Sequence, residues 1–348
     1  MRITRVLATP DVAPPRAEPL RDALQVLDGG GVVRVRVESD DGVAGVSETP
    51  FGRLRGAVKV LAALINEELA PEIVGEDPFM VRRIRDKLWR VTDYHGSTGL
   101  ACFGIAAIDL ALWDLMGKAL QQPVWRLLGA HRDRIPAYAM VGWLNYDLDR
   151  LRSVCERAVA QGFRGVKIKV GAPTLEGDVR RIEAAKAAVG PHALVMVDAN
   201  QVFGLSEALR RGRVYEKLGC SWFEEPLPAD DVGGLGALAA ELDIPIASGE
   251  NNFGKHQFRE LFARRAVDVV QPDLRRAGGG TECLDIAAMA DAFGIPYASH
   301  GGGAHLHFLA AMPNCLFMES GLLPPDARFA LVDGCYPLPR EPGLSSLP

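Results

Sequence analysis

Lys169, Asp198, Glu224, Glu250, Asp273, His300 and Glu319 recur along the chain at nearly even steps of roughly 20–30 residues. Each stands at or just past the end of a short apolar run: GVKIKV, ALVMVDAN, SWFEEP, IPIASGEN, VDVVQPD, IPYASHG and CLFMES. Asp198, Glu224 and Glu250 close three consecutive runs. Three carboxylates meeting at one rim repel one another unless a cation lies among them, and an all-oxygen donor set favours a hard divalent ion, Mg2+. One such acid alone could merely cap a helix N-terminus; three in register point to a metal site. Strand alternation turns Glu225 away from Glu224, which leaves Glu224 as the expected ligand of that pair.

Lys167 and Lys169 are two residues apart on one strand and therefore share a face. Two partly desolvated ammonium groups are expected to depress each other's pKa, which would free Lys169 as a base while Lys167 contacts the substrate or tunes its neighbour. A solvent-exposed KxK is the plain alternative, and Asp198 in the next unit argues against it. Asp273 and His300 end consecutive strands. A carboxylate beside an imidazole fixes its tautomer and raises its basicity, as a general acid/base requires. Glu319, kept protonated by burial, would donate a hydrogen bond to a developing oxyanion. Asn200, on the face of Asp198, could place a substrate oxygen. His305 and His307, after the Gly301-Gly302-Gly303 run, read as packing or helix residues. Together these groups describe abstraction of a proton next to a carboxylate, with a metal and a neutral acid stabilising the enolate and bases on opposite sides.

The elements that must position these groups follow from the period. A strand, a helix and two short loops consume about the observed spacing, so the repeat is a βα unit, and a closed barrel of such units gathers strand ends at its C-terminal mouth. Strands are expected at 134–142, 165–170, 194–199, 220–225, 244–249, 267–272, 295–300 and 315–319, with a short connection between the last two. The fold class is α/β, a modified TIM barrel (β/α)7β over residues 128–320. Residues 1–127 read as an α+β capping domain, with strands at 2–9 and in a hairpin over 32–49, then helices near 54–69, 78–92 and 99–120. Residues 321–348 form a Pro- and Gly-rich tail expected to return to the capping domain. The segment 9–21, with four prolines, reads as a surface loop, either a cap over the substrate or a linker.

A chain of 348 residues, 48% hydrophobic and with a formal charge of −5, can bury a large core, suggests two domains and has no basic block for nucleic acid. The segment GLACFGIAAIDLALWDLMGKAL carries Asp109 and Asp114 and reads as a buried helix, not a membrane span. No cationic stretch followed by an apolar one opens the chain, so no secretory leader is expected. Cys102, Cys155, Cys220, Cys283, Cys315 and Cys335 are dispersed without a CxxC pair, as suits reduced thiols in a cytoplasmic protein. A homo-oligomer is the expectation for a soluble enzyme of this size.

KIK at 167–169, VDAN at 197–200, WFEEP at 222–226, SGEN at 248–251, QPD at 271–273, SHG at 299–301 and ES at 319–320 resemble, in order and spacing, the motifs of the enolase superfamily and within it the mandelate racemase subgroup. The likeness spans nearly the whole chain. It implies that Asp198, Glu224 and Glu250 bind Mg2+, that Lys169 and the His300–Asp273 dyad are the two acid/base catalysts, and that Glu319 is the electrophilic carboxylic acid. The subgroup includes racemases, acid-sugar dehydratases and lactone isomerases that share these catalysts. Arg16 and Arg21 in the capping segment, with Asp93, Tyr94 and His95 as a second polar patch, favour a polyhydroxy acid over an aryl one. The expected reaction is therefore dehydration of a sugar acid to a 2-keto-3-deoxy acid, with racemisation or epimerisation of a 2-hydroxy acid, or isomerisation of a sugar-acid lactone, as the alternative. The superfamily's chains usually continue past a PGL-like turn, whereas this sequence has four residues after Leu344, which leaves the closure of the capping domain open.

Overall fold

In the computed structural model, which describes residues 1–96, 98–324 and 330–344, the N-terminal region is a three-stranded antiparallel sheet backed by helices. Strand β1 (Ile3–Val12) pairs with β4 (Gly31–Ser39), and β4 pairs with β5 (Ala44–Phe51). Between β1 and β4, the two short strands β2 (Leu20–Arg21) and β3 (Val26–Leu27) make a small hairpin. Val33, Val35 and Val37 face inward, alternating with the exposed Arg34 and Arg36, the period-2 pattern of a sheet wetted on one side. The valine face packs on α1 (Arg55–Leu64), which continues through a π-turn over Ile65–Leu69 into α2 (Ala70–Ile73), and on α4 (Leu100–Ala119). Helix α3 (Val81–Gly96) lies alongside α4, and α5 (Val124–Leu127) leads to the second region.

Helix α4 is apolar all round, with 83% of its most apolar 18-residue window buried. A helix hydrophobic on every face belongs in a core or a bilayer, and here it is sandwiched between the cap sheet and the barrel. Trp113 Nε1 donates to Thr281 Oγ1 at 2.9 Å, and Asp109 Oδ2 accepts the Thr281 N–H at 3.1 Å. Asp109 is thus a polar tie between the regions, whereas Asp114 accepts the Val46 N–H within the cap at 2.8 Å.

Eight parallel strands follow: β6 (Arg134–Gly142), β7 (Gly165–Lys169), β8 (Leu194–Asp198), β9 (Phe223–Glu224), β10 (Ile246–Ser248), β11 (Val269–Val270), β12 (Tyr297–Ala298) and β13 (Cys315–Ser320). They pair in that order, and β13 closes on β6 through Met318–Ala137, Glu319–Tyr138 and Ser320–Ala139. Each of the expected barrel strands is present. The intervening helices are α6 (Leu148–Ala160), α7 (Leu175–Val189), α8 (Leu205–Lys217), α9 (Val232–Glu241), α10 (Gly254–Ala263), α11 (Leu274–Ala277) with α12 (Gly280–Ala292), and the five-residue α13 (His305–Leu309) between the last two strands. Alternation along each strand builds two cores. Val166, Ile168, Val195 and Val197 point out to the helices, while Tyr138, Met196, Trp222, Ala247, Val269 and Ala298 plug the barrel axis, the packed interior of this architecture.

One expectation needs correction. Residues 9–12 are not loop but the end of β1, because they complete the ladder to Gly31–Arg34. The prolines begin to act afterwards, at Pro14 and Pro15. The tail reaches the capping region by way of the barrel. Its strand β14 (Cys335–Pro337) first adds antiparallel to β6, and then Gly343 bridges Pro123 and the Leu344 N–H donates to Asp114 Oδ1 at 2.8 Å. Tail residues 325–329 and 345–348 lie outside the described residues.

Candidate active site

Strand register assembles the first tier of the site. Lys169 pairs with Asp198 and Asp198 with Glu224 across β7, β8 and β9, so one lysine and two carboxylates stand side by side at the barrel's C-terminal rim. Glu250 lies beyond the end of β10 and is brought back by Gly249 at φ 141°. A side chain on that residue would meet Gln271 N at 3.0 Å and the Phe258 ring at 3.1 Å, so the turn demands glycine. Ligand oxygens of Asp198, Glu224 and Glu250 then all lie within 4.8 Å of one another, and all three residues are buried.

The donor set fits Mg2+. Burial pushes the Glu224 carboxyl up to about 7, and the charges of Asp198, Glu319 and Glu250 add to this against the pull of Lys167. Crowded, dehydrated carboxylates of this kind are what a small divalent ion relieves. Glu250 Oε2 is a buried oxygen that receives no hydrogen bond. Glu224 Oε2 is already oriented by the Trp222 indole N–H at 3.0 Å and the Gln271 amide at 2.8 Å, and the Arg276 guanidinium donates to Glu250 Oε1 at 3.1 Å. Such outer partners fix the direction of ligating oxygens.

Each lysine meets carboxylates. Lys169 Nζ lies 2.5 Å from Asp198 Oδ2; Lys167 Nζ contacts Glu224 Oε1, lies 2.5 Å from Glu319 Oε2 and 3.7 Å from Asp198 Oδ2. This overturns the expected mutual depression. Burial does disfavour both ammonium ions, but Glu224 and Glu319 hold Lys167 well above the ordinary lysine range, and Asp198 raises Lys169. A negative partner at contact outweighs a positive neighbour on the same strand. Glu319 is likewise corrected. Burial alone would keep it protonated, yet Lys167 and then His300 pull its carboxyl down to about 2, and Tyr138 Oη and the Gly301 N–H also donate to it, at 2.9 and 3.1 Å. It stands in the site as a carboxylate, not a neutral acid.

On the far side, His300 Nδ1 lies 2.8 Å from Asp273 Oδ2, and Nε2 points inward, 3.1 Å from Glu250 Oε2 and 3.9 Å from Glu319 Oε1. Burial disfavours the imidazolium, but Glu250 and Asp273 raise its pKa above the usual histidine value. Asp273 itself is held well below the carboxylate range: the His300 hydrogen bond and Arg275 overcome the cost of burial. Strands β7 and β12 lie on different sides of the barrel, separated by β8–β11 in one direction and by β6 and β13 in the other. Lys169 and His300 therefore approach the rim from opposing sides.

Glu225 is outside the acidic triad, as expected. The strand ends at Glu224, and Glu225 adopts φ 40°. It is fully buried; Asn251 Nδ2 donates to its Oε1 at 2.7 Å and reaches Glu250 Oε1 at 3.5 Å. Burial, then Glu250 and Asp198, raise its carboxyl well above the usual range. Asn200, also at positive φ (46°), donates its backbone N–H to Asp198 Oδ1 at 2.9 Å and keeps a buried Oδ1 without a protein partner. His305 and His307 are buried in α13.

The β2–β3 hairpin sits over the mouth. The Leu144 N–H donates to Arg21 O at 2.8 Å, Asn145 accepts from Arg21 N at 3.1 Å, and its amide donates to Pro19 O at 3.0 Å. Buried Arg181 braces the loop below, donating to the carbonyls of Trp143 (2.8 Å), Tyr146 (2.9 Å) and Lys169 (3.3 Å). Arg16 and Arg21 have exposed side chains, and among the described residues no hydrogen bond or ion pair joins either guanidinium to the carboxylates. The side chain of His95 lies outside the described residues. Sequence reasoning missed Tyr138, Trp222 and Gln271 as orienting groups. Trp222 and Gln271 were within reach, since each stands two residues before a named acid and so shares its face. Nothing local marks Arg181 or Arg276.

Comparison with known proteins agrees with this geometry. Residues 4–129 match the N-terminal domain of the mandelate racemase / muconate lactonizing enzyme family, and residues 150–346 match the enolase C-terminal domain-like family. An arabinonate dehydratase of Saccharolobus solfataricus is 35% identical over 328 residues, 90% of this chain and 87% of that protein. The crystal structure of a racemase from Streptomyces coelicolor A3(2) with bound magnesium superposes with a TM-score of 0.92 at 30% identity, covering 99% of this chain and 97% of that one. The L-talarate dehydratase of Polaromonas sp. JS666, complexed with Mg and L-glucarate, gives 0.91 at 32% identity over 99% and 94%. With both domains matched and the acidic triad and opposed proton-transfer groups in place, the chain belongs to the mandelate racemase / muconate lactonizing enzyme family of the enolase superfamily.

Proposed function

We propose that the protein is a Mg2+-dependent acid-sugar dehydratase, converting a polyhydroxy carboxylate into a 2-keto-3-deoxy acid. The observation that carries this reading is the opposition of Lys169, bonded to Asp198, and His300, 3.1 Å from Glu250, across one triad of metal-binding carboxylates. Asp198, Glu224 and Glu250 would hold the ion, which would supply positive charge to stabilise an enolate of the substrate carboxylate. With Mg2+ on Asp198 and Glu250, the charges that hold Lys169 and His300 protonated would be offset, freeing a neutral Lys169 or His300 to take the α-proton. His300, oriented by Asp273, or another acid gives a proton to the departing β-hydroxyl, which leaves as water, and the enol so formed becomes the keto acid. Lys167, beside Glu319 and Glu224, places a cation where the substrate carboxylate would lie. Relatives named as arabinonate and L-talarate dehydratases, one complexed with L-glucarate, favour a sugar acid as substrate.

Racemisation or epimerisation of a 2-hydroxy acid is the second reading, because opposed bases also let a proton leave one face and return on the other, and the magnesium-bound relative from Streptomyces is described as a racemase. Incubation with Mg2+ and a panel of sugar acids and 2-hydroxy acids in D2O, followed by proton NMR, separates the two. A new 3-deoxy methylene signal establishes dehydration; loss of the α-proton signal with the skeleton and hydroxyls intact establishes the alternative and removes the dehydratase. The reading also includes a cytoplasmic location, in keeping with six buried free cysteines, and a homo-oligomer; a monomer by light scattering would sink the latter.

A further inference from the structure

His300 and Asp273 are joined by more than their side chains. The His300 backbone N–H donates to Pro272 O at 3.2 Å, His300 Nδ1 lies 2.8 Å from Asp273 Oδ2, and the Leu274 N–H donates to Nε2 of His305 at 3.2 Å. Three consecutive residues of one segment are thus each fastened to the segment 300–305. The first two fastenings are backbone and the dyad itself. The third depends on a side chain to which the reaction above assigns nothing.

Its effect on Asp273 follows from the helix start. Asp273 is the N-cap of α11, and its Oδ1 accepts the N–H groups of Arg275 at 2.7 Å and Arg276 at 3.1 Å, as a capping aspartate does. Those bonds leave the first helical N–H, that of Leu274, to be satisfied elsewhere, since a buried orphan donor is costly. With four residues, α11 is too short to hold its own N-terminus rigid. The Leu274–His305 bond therefore fixes the peptide that follows Asp273, while the Pro272–His300 bond fixes the one before it. Because Nε2 accepts, the His305 proton resides on Nδ1. The ring is 1% exposed, and burial pushes its pKa down to about 3 despite Asp273 nearby, so it remains an acceptor at neutral pH.

We propose that His305 is a positioning residue for the acid/base dyad: by accepting the Leu274 N–H it sets the backbone at Asp273, so that the carboxylate stays in line with His300 Nδ1. The kinetic consequence rests on the catalytic reading of the dyad, but the hydrogen bond is observable without turnover.

The test uses the full chain loaded with Mg2+. The proton between His300 Nδ1 and Asp273 gives a downfield NMR resonance, assigned by its loss in His300→Asn. In His305→Phe, which keeps ring volume and removes the acceptor, that resonance is expected to move upfield or broaden, and Leu274 amide exchange to rise about tenfold, the loss of one hydrogen bond. His305→Gln, whose side-chain oxygen reaches the same place, should restore both. Should His305→Phe not fold, His305→Asn, too short to reach Leu274, is read at the same signals. An unchanged resonance in a folded, Mg2+-binding variant without the acceptor overturns the proposal. With a substrate in hand, exchange through His300 should fall in kcat with KM little changed, and exchange through Lys169 should persist. A shifted resonance in a protein that turns over no acid would leave the positioning role standing and defeat the proposed activity.

Discussion

Replacing Gln271 by Met tests whether the buried amide that orients Glu224 matters to the metal. Gln271 is fully buried, and its Nε2 donates to Glu224 Oε2 at 2.8 Å; methionine keeps most of the volume and removes the donor. Loss of an orienting partner of a ligand weakens metal binding about 10–100-fold. At a Mg2+ concentration of 100 times the wild-type Kd, binding stabilises the native state by about 2.7 kcal/mol, and the weakened variant retains about 0.4–1.4 kcal/mol. At about 2.1 cal/mol/K per residue, unfolding 348 residues carries an entropy of about 0.7 kcal/mol/K. Mg2+ should then raise the wild-type Tm by about 4 °C and that of the variant by about 0.6–2 °C. Calorimetric scans with and without Mg2+ measure that increment directly. Any general loss of packing lowers both scans alike and cancels. A variant with a lower basal Tm but an undiminished Mg2+ increment would refute the reasoning, because Glu224 would then need no orientation from Gln271.

Glu224→Gln removes a ligand charge and should abolish both the Mg2+ increment and turnover, by about 10^3-fold or more; activity retained without metal would exclude the triad. Lys169→Ala and His300→Asn should each lose α-proton exchange from one C2 configuration by about 10^2–10^4-fold and spare the other, and equal losses for both configurations in both variants would argue against opposed bases. Burial raises the Asp109 carboxyl to about 6 in the native state despite its bonds to Thr281, some 2 units above its unfolded value, or about 3 kcal/mol. Its contribution is therefore complete below about pH 4 and lost as pH rises through about 6. The Tm difference between Asp109→Asn and wild type should move by about 4 °C in the variant's favour from pH 4 to pH 7, and a gap independent of pH would contradict it.

The barrel was legible because each strand is short, apolar and ended by a polar residue that a core position would not tolerate. Lys167, Asp198, Glu224 and Asp273 announce themselves by being charged at positions whose neighbours, such as Ile168 and Val197, are wholly buried. The capping segment was less legible. Prolines marked a loop from residue 9, but the register with β4 extends β1 to Val12, since Pro10 can sit in an edge strand where its missing N–H is not needed. Glu224 and not Glu225 joins the acidic triad, as alternation predicts, but the burial of Glu225 was not legible, because pairing between β9 and β10 ends at Glu224.

By itself, the sequence determined the architecture, the carboxylates that could hold a metal and which candidate bases reach the rim, because periodicity fixes which residues reach one rim and residue type fixes what they can do there. The protonation states were decided by tertiary structure. Whether Lys167 is a depressed amine or an ammonium ion, and whether Glu319 is an acid or a carboxylate, depends on which charge lies within a hydrogen bond's length after burial. That distance is set by strands far apart in the chain: β7 brings Lys167 to Glu319 of β13, 2.5 Å away. Coulomb energy inside a dry barrel varies steeply over such distances, and no local pattern of residues encodes them.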